Sequence, residues 1–293
     1  MTPAIGFIGF GEAGVSIASG LRSAGIQQLF AFEIASESSD RGPLIHDRAA
    51  ASGTTLVPSS AELTAHARLL LSTVTSSQAL AAARQAAPAL DSGHTYADLN
   101  SVSPALKREI AAVIGATGAG FVEAAVMAPV TPYGHRVPML LGGDAAPGFV
   151  ETLAPLGMRL QVLAGDVGTA AAVKMCRSIV VKGLEALLCE CVLGASQYGA
   201  DEHVFASLDE SFPGIEWRKL ADYTIGRIVV HGERRAREME EVSETLRAIG
   251  VDPIMAEATA RRQDWSARMD LKSRFGPDGP KTYAEVVEAV RRT

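Results

Sequence analysis

Short apolar runs alternate with amphipathic segments through the first half of the chain. Ala4-Ile-Gly-Phe-Ile-Gly9, Gln28 to Phe32, Thr54 to Val57, Arg68 to Val74, His94 to Asp98 and Phe121 to Val126 each read as a strand. Helical periodicity follows Gly14 and covers Ser59 to Ala67, Ser76 to Ala87 and Ser103 to Ala116. Val137 to Leu141 and Arg159 to Leu163, with a helix from Ala146 to Ala154 between them, extend the series. This alternation predicts an α/β domain, a doubly wound parallel sheet covered on both faces.

After Gly165 the strand pattern stops. Thr169 to about Tyr198 has no proline and is rich in Ala, Leu, Val, Met and Glu, which predicts the longest helix of the chain. Thirty such residues span about 45 Å. Val173, Ile179, Val180, Leu184, Leu187, Leu188 and Val192 place apolar side chains on nearly every face, so burial between two bodies is expected. Lys174, Ser178 and Lys182 follow at intervals of four and stack on one face. A lysine aimed into a protein interior has its charged form disfavoured and becomes usable for proton transfer. Further helices are expected over Glu202 to Leu208, Trp217 to Ile228, Gly232 to Ile249, Ala256 to Leu271 and Thr282 to Arg291. The alternating charges from Arg234 to Glu241 predict a solvated face. Phe275-Gly-Pro-Asp-Gly-Pro280 is a breaker, expected to be mobile. The expected organisation is an N-terminal Rossmann-type sheet domain over residues 1–165, then an all-α C-terminal domain over 166–293, joined by the long helix.

The strand ending at Gly9 runs into Gly9-Phe10-Gly11-Glu12-Ala13-Gly14 and then a helix. That context gives the glycine pattern a mechanism. The first glycine makes a tight turn, the second admits a pyrophosphate, and the third lets helix pack on strand. Glu33 ends the second strand nineteen residues after Gly14, where a carboxylate can hold the adenosine ribose hydroxyls. NAD or NADP is therefore the expected cofactor. Glu33 favours NAD, while Ser36, Ser38 and Arg41 offer a cradle for a 2′-phosphate. The strand-end residues Val74, Thr75 and Asn100, with Ser101, are candidates to line the site.

Composition narrows the partners. A net charge of -6 and a pI near 5.6 leave no basic footprint for nucleic acid. No apolar run reaches transmembrane length, so no membrane association is expected and the chain reads as cytoplasmic. Cys176, Cys189 and Cys191 all fall on the long helix and read as small buried apolar residues in a reducing compartment. No Tyr-x-x-x-Lys motif is present, which disfavours the short-chain dehydrogenase scheme. His203 and His231 read as structural.

Four ordered motifs carry a resemblance: the glycine turn, Asp98-Leu-Asn-Ser-Val-Ser-Pro104, Phe121-Val-Glu-Ala-Ala-Val126, and Gly168 followed by Lys174 and Ser178. Together they resemble the β-hydroxyacid dehydrogenases, relatives of 3-hydroxyisobutyrate dehydrogenase and of the N-terminal part of 6-phosphogluconate dehydrogenase. The resemblance implies Lys174 as catalytic acid/base, a small-molecule substrate and usually a dimer or tetramer. Ser178 stands one turn beyond the lysine, and the apolar helix at the domain boundary predicts a homodimer that buries it. The C-terminal run from His231 to Glu241 resembles a subgroup whose helical domain is of unknown function. Against the family's Asp-Ala-Pro-Val-Ser-Gly-Gly loop, this chain has Glu123-Ala-Ala-Val-Met127-Ala128-Pro129, and proline offers no N–H. Ser178 stands where an asparagine is usual, and Arg237 where a later lysine is usual.

The implied activity is oxidation of a β-hydroxyacid or related alcohol, or reduction of the matching carbonyl. Candidate substrate contacts are Ser101, Met127, Ala128, Lys174 and Ser178. Ser101 reads equally as a substrate contact or a cap, Ser103 chiefly as a helix cap, and Met127 as a substrate wall or core filler. The alternatives are imine reduction on the same scaffold and a non-catalytic nucleotide sensor.

Overall fold

The computed structural model describes residues 3–292. They form two compact units that divide between Lys174 and Met175, inside the long helix. The expected boundary at residues 165 and 166 falls at the turn preceding that helix.

The first unit alternates as anticipated through β1 (Ile5–Ile8), α1 (Glu12–Ser23), β2 (Leu29–Phe32), α2 (Gly42–Ser52), β3 (Thr55–Leu56), α3 (Ser60–His66), β4 (Leu69–Ser72), α4 (Ala79–Ala86), β5 (Thr95–Asp98), α5 (Pro104–Gly115) and β6 (Gly120–Val126). A short helix α6 (Val130–Tyr133) leads to β7 (Met139–Gly142), α7 (Ala146–Leu153) and β8 (Leu160–Val162). The eight strands lie in the order β3-β2-β1-β4-β5-β6-β7-β8. Chain order reverses on either side of β1, so the crevice beyond the ends of β1 and β4 is the switch point where ligands bind such sheets.

The strands pair in parallel with one exception: β6 and β7 run antiparallel, Glu123 opposite Gly142 and Val126 opposite Met139. A parallel return needs a crossover of a dozen or more residues, usually a full helix. Between β6 and β7 the chain has only α6 and a 3-10 turn, and it doubles back. The fully parallel sheet read from the alternation is corrected at this strand.

Each face of the sheet carries a core. Phe7, Ile17, Leu21, Val122, Leu141 and Phe149 fill one side; Leu63, Leu70, Ala83, Tyr96, Ile110 and Phe121 fill the other. Each large apolar side chain buried in this way contributes about 1.5–3 kcal/mol. Ser103 caps α5, its hydroxyl accepting the Leu106 N–H at 3.2 Å, with Pro104 in the first turn. Helix α2 has no counterpart in the periodicity of the sequence. Its polar surface residues gave no apolar stripe, and Gly42 follows directly on the Ser-rich turn.

The long helix is α8 (Thr169–Ser196), and the second unit adds α9 (Asp201–Ser211), α10 (Trp217–Ala248), α11 (Ile254–Arg268), α12 (Leu271–Phe275) and α13 (Tyr283–Arg291). Its main core gathers Leu188, Cys189, Val192, Phe205, Trp217, Ile225, Ile228 and Val286. The two helices expected around Gly232 are one continuous α10. A Cβ at Gly232 would stand 2.1 Å from Ser266 Oγ and 2.4 Å from the Gln263 carbonyl oxygen, so the glycine permits close helix packing and does not end a helix. Conversely, the helix expected from Ala256 to Leu271 is broken at Asp270, whose φ of 48° is left-handed.

The charged run on α10 is not wholly solvated. Arg235 is buried against the buried Glu185, Nε to Oε2 at 2.9 Å, and Gln263 donates to the same carboxylate at 3.0 Å. Lys182 pairs with Glu238 at 2.8 Å. Burial lowers the Lys182 pKa, and the Glu238 charge opposes that shift. The breaker at 275–280 packs on α10, Gly279 meeting Val230 and Gly226 facing the Pro280 carbonyl. Of the cysteines, Cys189 is buried and burial pushes its thiol up to about 12. Cys191 is half-buried and Cys176 exposed, which corrects the expectation of three buried thiols.

Candidate functional site

The glycine turn is built by opposite demands at neighbouring positions. Gly9 closes β1 with φ of +84°, a region glycine enters without penalty. A Cβ there would stand 2.7 Å from Val74 Cγ1. The Thr73 hydroxyl donates to the Gly9 carbonyl at 2.7 Å and fastens the turn to the end of β4. Gly14 packs on the same hydroxyl, where a Cβ would stand at 2.9 Å. Gly11 differs: nothing lies within 4 Å of the place its Cβ would occupy. As the N-cap residue of α1 it has no side chain to satisfy the first-turn N–H groups. Glu12 is exposed and Ala13 half-buried in that first turn. Open space beside unsatisfied helix N–H groups is what a phosphate group fills.

Glu33 spans the turn. Its Oε2 accepts the Phe10 N–H at 2.7 Å and its Oε1 the Ala35 N–H at 3.2 Å. The carboxylate thereby locks the end of β2 to the glycine loop and keeps further lone pairs for a ribose diol. Phe10 is fully buried, with its ring edge-on to Phe7 at 5.9 Å. Its ring and N–H are both engaged within the protein, so its place in the site is to hold the loop. Ser38 Oγ accepts the Arg41 N–H at 3.1 Å, and Arg41 is exposed.

At the other strand ends, Val74 is half-buried, and Thr75 is exposed with its hydroxyl 3.3 Å from that of Ser77. Asn100 is buried and Ser101 exposed. Met127 continues the β6–β7 pairing, its N–H donating to the Pro138 carbonyl at 2.9 Å, and with Ala128 it is half-buried. Lys174 is half-buried near the start of α8 and belongs to the same compact unit as the glycine turn. Ser178, also half-buried, lies one turn further along and belongs to the second unit. Arg237 is exposed and pairs with Glu240 at 3.1 Å, which with the Glu240 charge raises its pKa.

Two buried charges escaped the sequence reading as parts of the site. Glu123 sits at 0% exposure on β6. Its Oε2 accepts the Gly168 N–H at 2.6 Å and its Oε1 the Ala171 N–H at 2.7 Å. A carboxylate from the sheet thus caps the helix that carries Lys174, where the helix dipole also favours negative charge. An acid within the apolar run Phe121 to Val126 was the available signal, because a buried carboxylate requires partners. The second charge is Lys107, 1% exposed, paired with Asp98 at 2.7 Å. Its signal was periodicity: Lys107, Ile110 and Ile114 share the buried face of α5.

A doubly wound sheet with this turn and acid is the architecture of a dinucleotide-binding domain. Residues 4–146 match the NAD binding domain of 6-phosphogluconate dehydrogenase, and residues 195–266 match a domain of unknown function. A conserved hypothetical protein from Sinorhizobium meliloti, of known structure, is 36% identical with a TM-score of 0.83, over 100% of this chain and 97% of that one. A conserved protein of unknown function, described as structurally similar to 3-hydroxyacid dehydrogenases, is 32% identical with a TM-score of 0.77, over 92% and 97%. The mitochondrial 3-hydroxyisobutyrate dehydrogenase of Drosophila melanogaster is 26% identical over 219 residues, 73% of this chain and 64% of that enzyme. The chain belongs to the 3-hydroxyacid dehydrogenase-like family, in the branch that joins this NAD-binding domain to a C-terminal domain of unknown function.

Proposed function

We infer that the protein is an NAD(P)-dependent oxidoreductase acting on the CH–OH group of a β-hydroxyacid or related alcohol, or on the matching carbonyl in reverse. The observation that carries this reading is the open space at Gly11 beside the uncapped start of α1, with Glu33 locked across the turn. The residues present fit a dinucleotide: first-turn N–H groups of Glu12 and Ala13 for the pyrophosphate, Glu33 for the adenosine ribose. Val74, Thr75 and Asn100 stand at the ends of the strands on the other side of β1. When bound, the nicotinamide supplies the hydride acceptor. Lys174 takes the hydroxyl proton at its Nζ in oxidation and returns it in reduction. Ser178 orients the substrate oxygen or the ammonium. Ser101, Met127 and Ala128 face the substrate, and the replacement of the family's serine hydroxyl by Met127 and of a glycine N–H by Pro129 suits a bulkier or less acidic compound than 3-hydroxyisobutyrate.

Fluorescence titration of the purified protein with NADH and NADPH tests this reading. Saturable binding is expected, tighter for NADH because Glu33 repels a 2′-phosphate. If folded protein binds neither, the oxidoreductase reading fails. If it binds a nucleotide but turns over nothing on a hydroxyacid, aldehyde and imine panel, the sensor reading gains instead.

The unit is expected to work as a homodimer in a reducing cytoplasm. Among the described residues, no helix is long and apolar enough to cross a membrane. Val173, Val180 and Leu187 are 41%, 70% and 57% exposed at intervals of seven along α8, an apolar stripe that a second copy would cover. Light scattering should return twice the 30.7 kDa chain mass, and Val180→Glu should return the monomer. A wild-type monomer at micromolar concentration would remove this part of the proposal.

A further inference from the structure

Asn100 is 5% exposed, and its amide is held with unusual definition for so short a side chain. Its Nδ2 donates to Asp98 Oδ1 and, at 2.9 Å, to Ser72 Oγ. Asp98 is a carboxylate at 0% exposure. It accepts the Lys107 ammonium on Oδ2 at 2.7 Å, and the same ammonium reaches the Asp98 carbonyl at 2.7 Å. The orientation of the Asn100 amide follows from this chain of contacts. A carboxylate paired with a lysine can only accept, so the NH2 end must face it, and the reverse orientation would set two oxygens against each other. The amide oxygen is therefore turned away from Asp98. It is buried and has no hydrogen-bond partner in the protein.

An unsatisfied buried acceptor costs stability, and native proteins leave few of them. This one stands two residues beyond the end of β5. In the strand order, β5 lies on the far side of β1 from β2, which carries Glu33. In a dinucleotide site the two halves of the ligand lie on opposite sides of that switch point. Glu33 marks the adenosine half, so Asn100 stands on the nicotinamide half.

We propose that Lys107 is a positioning residue: through Asp98 it sets the Asn100 amide so that Oδ1 accepts a hydrogen bond from the nicotinamide half of the cofactor, a carboxamide N–H or a ribose hydroxyl. This rests on the nucleotide-binding reading above and adds to it an element that neither touches ligand nor belongs to the glycine turn. Lys107 lies on the buried face of α5, and among the described residues its ammonium hydrogen-bonds only to Asp98. Its ammonium makes Asp98 tolerable at zero exposure, and the acceptor geometry is the product.

The test compares NADH with ADP, which lacks both the nicotinamide and its ribose, as ligands of the wild type, Asn100→Ala, Lys107→Met and Lys107→Arg. Loss of one hydrogen bond to the ligand is expected to weaken NADH about tenfold in Asn100→Ala while ADP binding stays unchanged. Lys107→Met should give the same split, and Lys107→Arg should restore most of the NADH affinity. A merely structural role would weaken both ligands together. Should Lys107→Met fail to fold, Asp98→Asn reads the same link, since it removes the charged acceptor while keeping the shape. Equal NADH affinity in the wild type and Asn100→Ala overturns the acceptor role alone, and parallel loss of both ligands in the Lys107 or Asp98 variant overturns the positioning role. Wild-type protein that binds neither ligand overturns the nucleotide reading as well, so the two failures are distinct.

Discussion

Lys174→Ala should abolish most turnover and leave nucleotide binding in place. A positioned general acid or base contributes about 10²- to 10⁴-fold, so kcat on a substrate found by screening should fall by that factor. The NADH dissociation constant should change less than about twofold, because the nucleotide is assigned to the glycine turn, Glu33 and the strand ends and not to this side chain. Lys174 is half-buried on α8, so the substitution leaves no large cavity, and the thermal midpoint should stay close to that of the wild type. Partial recovery of turnover with added small primary amines would mark the loss as a missing base. Unchanged kcat with a verified substrate would remove Lys174 from the chemistry.

Glu123→Ala is the substitution with the largest expected effect on stability. It removes the acceptor from the Gly168 and Ala171 N–H groups, both in buried hydrogen bonds, and opens a cavity on β6. Leaving two such donors unsatisfied is expected to cost about 3 kcal/mol or more, read as a shift in the denaturant midpoint. Glu123→Gln should recover only part of this, because its NH2 end would face one of the two donors. Turnover should fall in step with the loss of order at the start of α8. A Glu123→Ala protein within about 1 kcal/mol of the wild type would show that water replaces the cap.

Most of the sheet was legible because its strands are short apolar runs closed by glycine or polar residues, as at Ile5 to Gly9 and Leu69 to Ser72. What sequence alone did not convey has definite physical causes. Strand direction at β7 depends on the connection, and the absence of a full helix after Val126 was a weaker signal than the rhythm of alternation before it. Gly232 looked like a stop because glycine lowers helix propensity. Its actual role, close contact with Ser266 and Gln263, depends on a helix distant in sequence. The glycine turn and Glu33 were recognisable because a local pattern encodes them. The contacts of Glu123 and Lys107 were not, because each pairs with a group whose position only the folded sheet determines. Arg235 was misread for the same reason: its partner Glu185 lies fifty residues away.

The division between the two compact units falls just after Lys174, and Glu123 holds the start of α8 to the sheet. Lys174 therefore belongs to the unit that carries the glycine turn. Sequence change confined to the residues beyond Met175 would leave in place both the residue proposed as acid/base and the Glu123 cap on its helix.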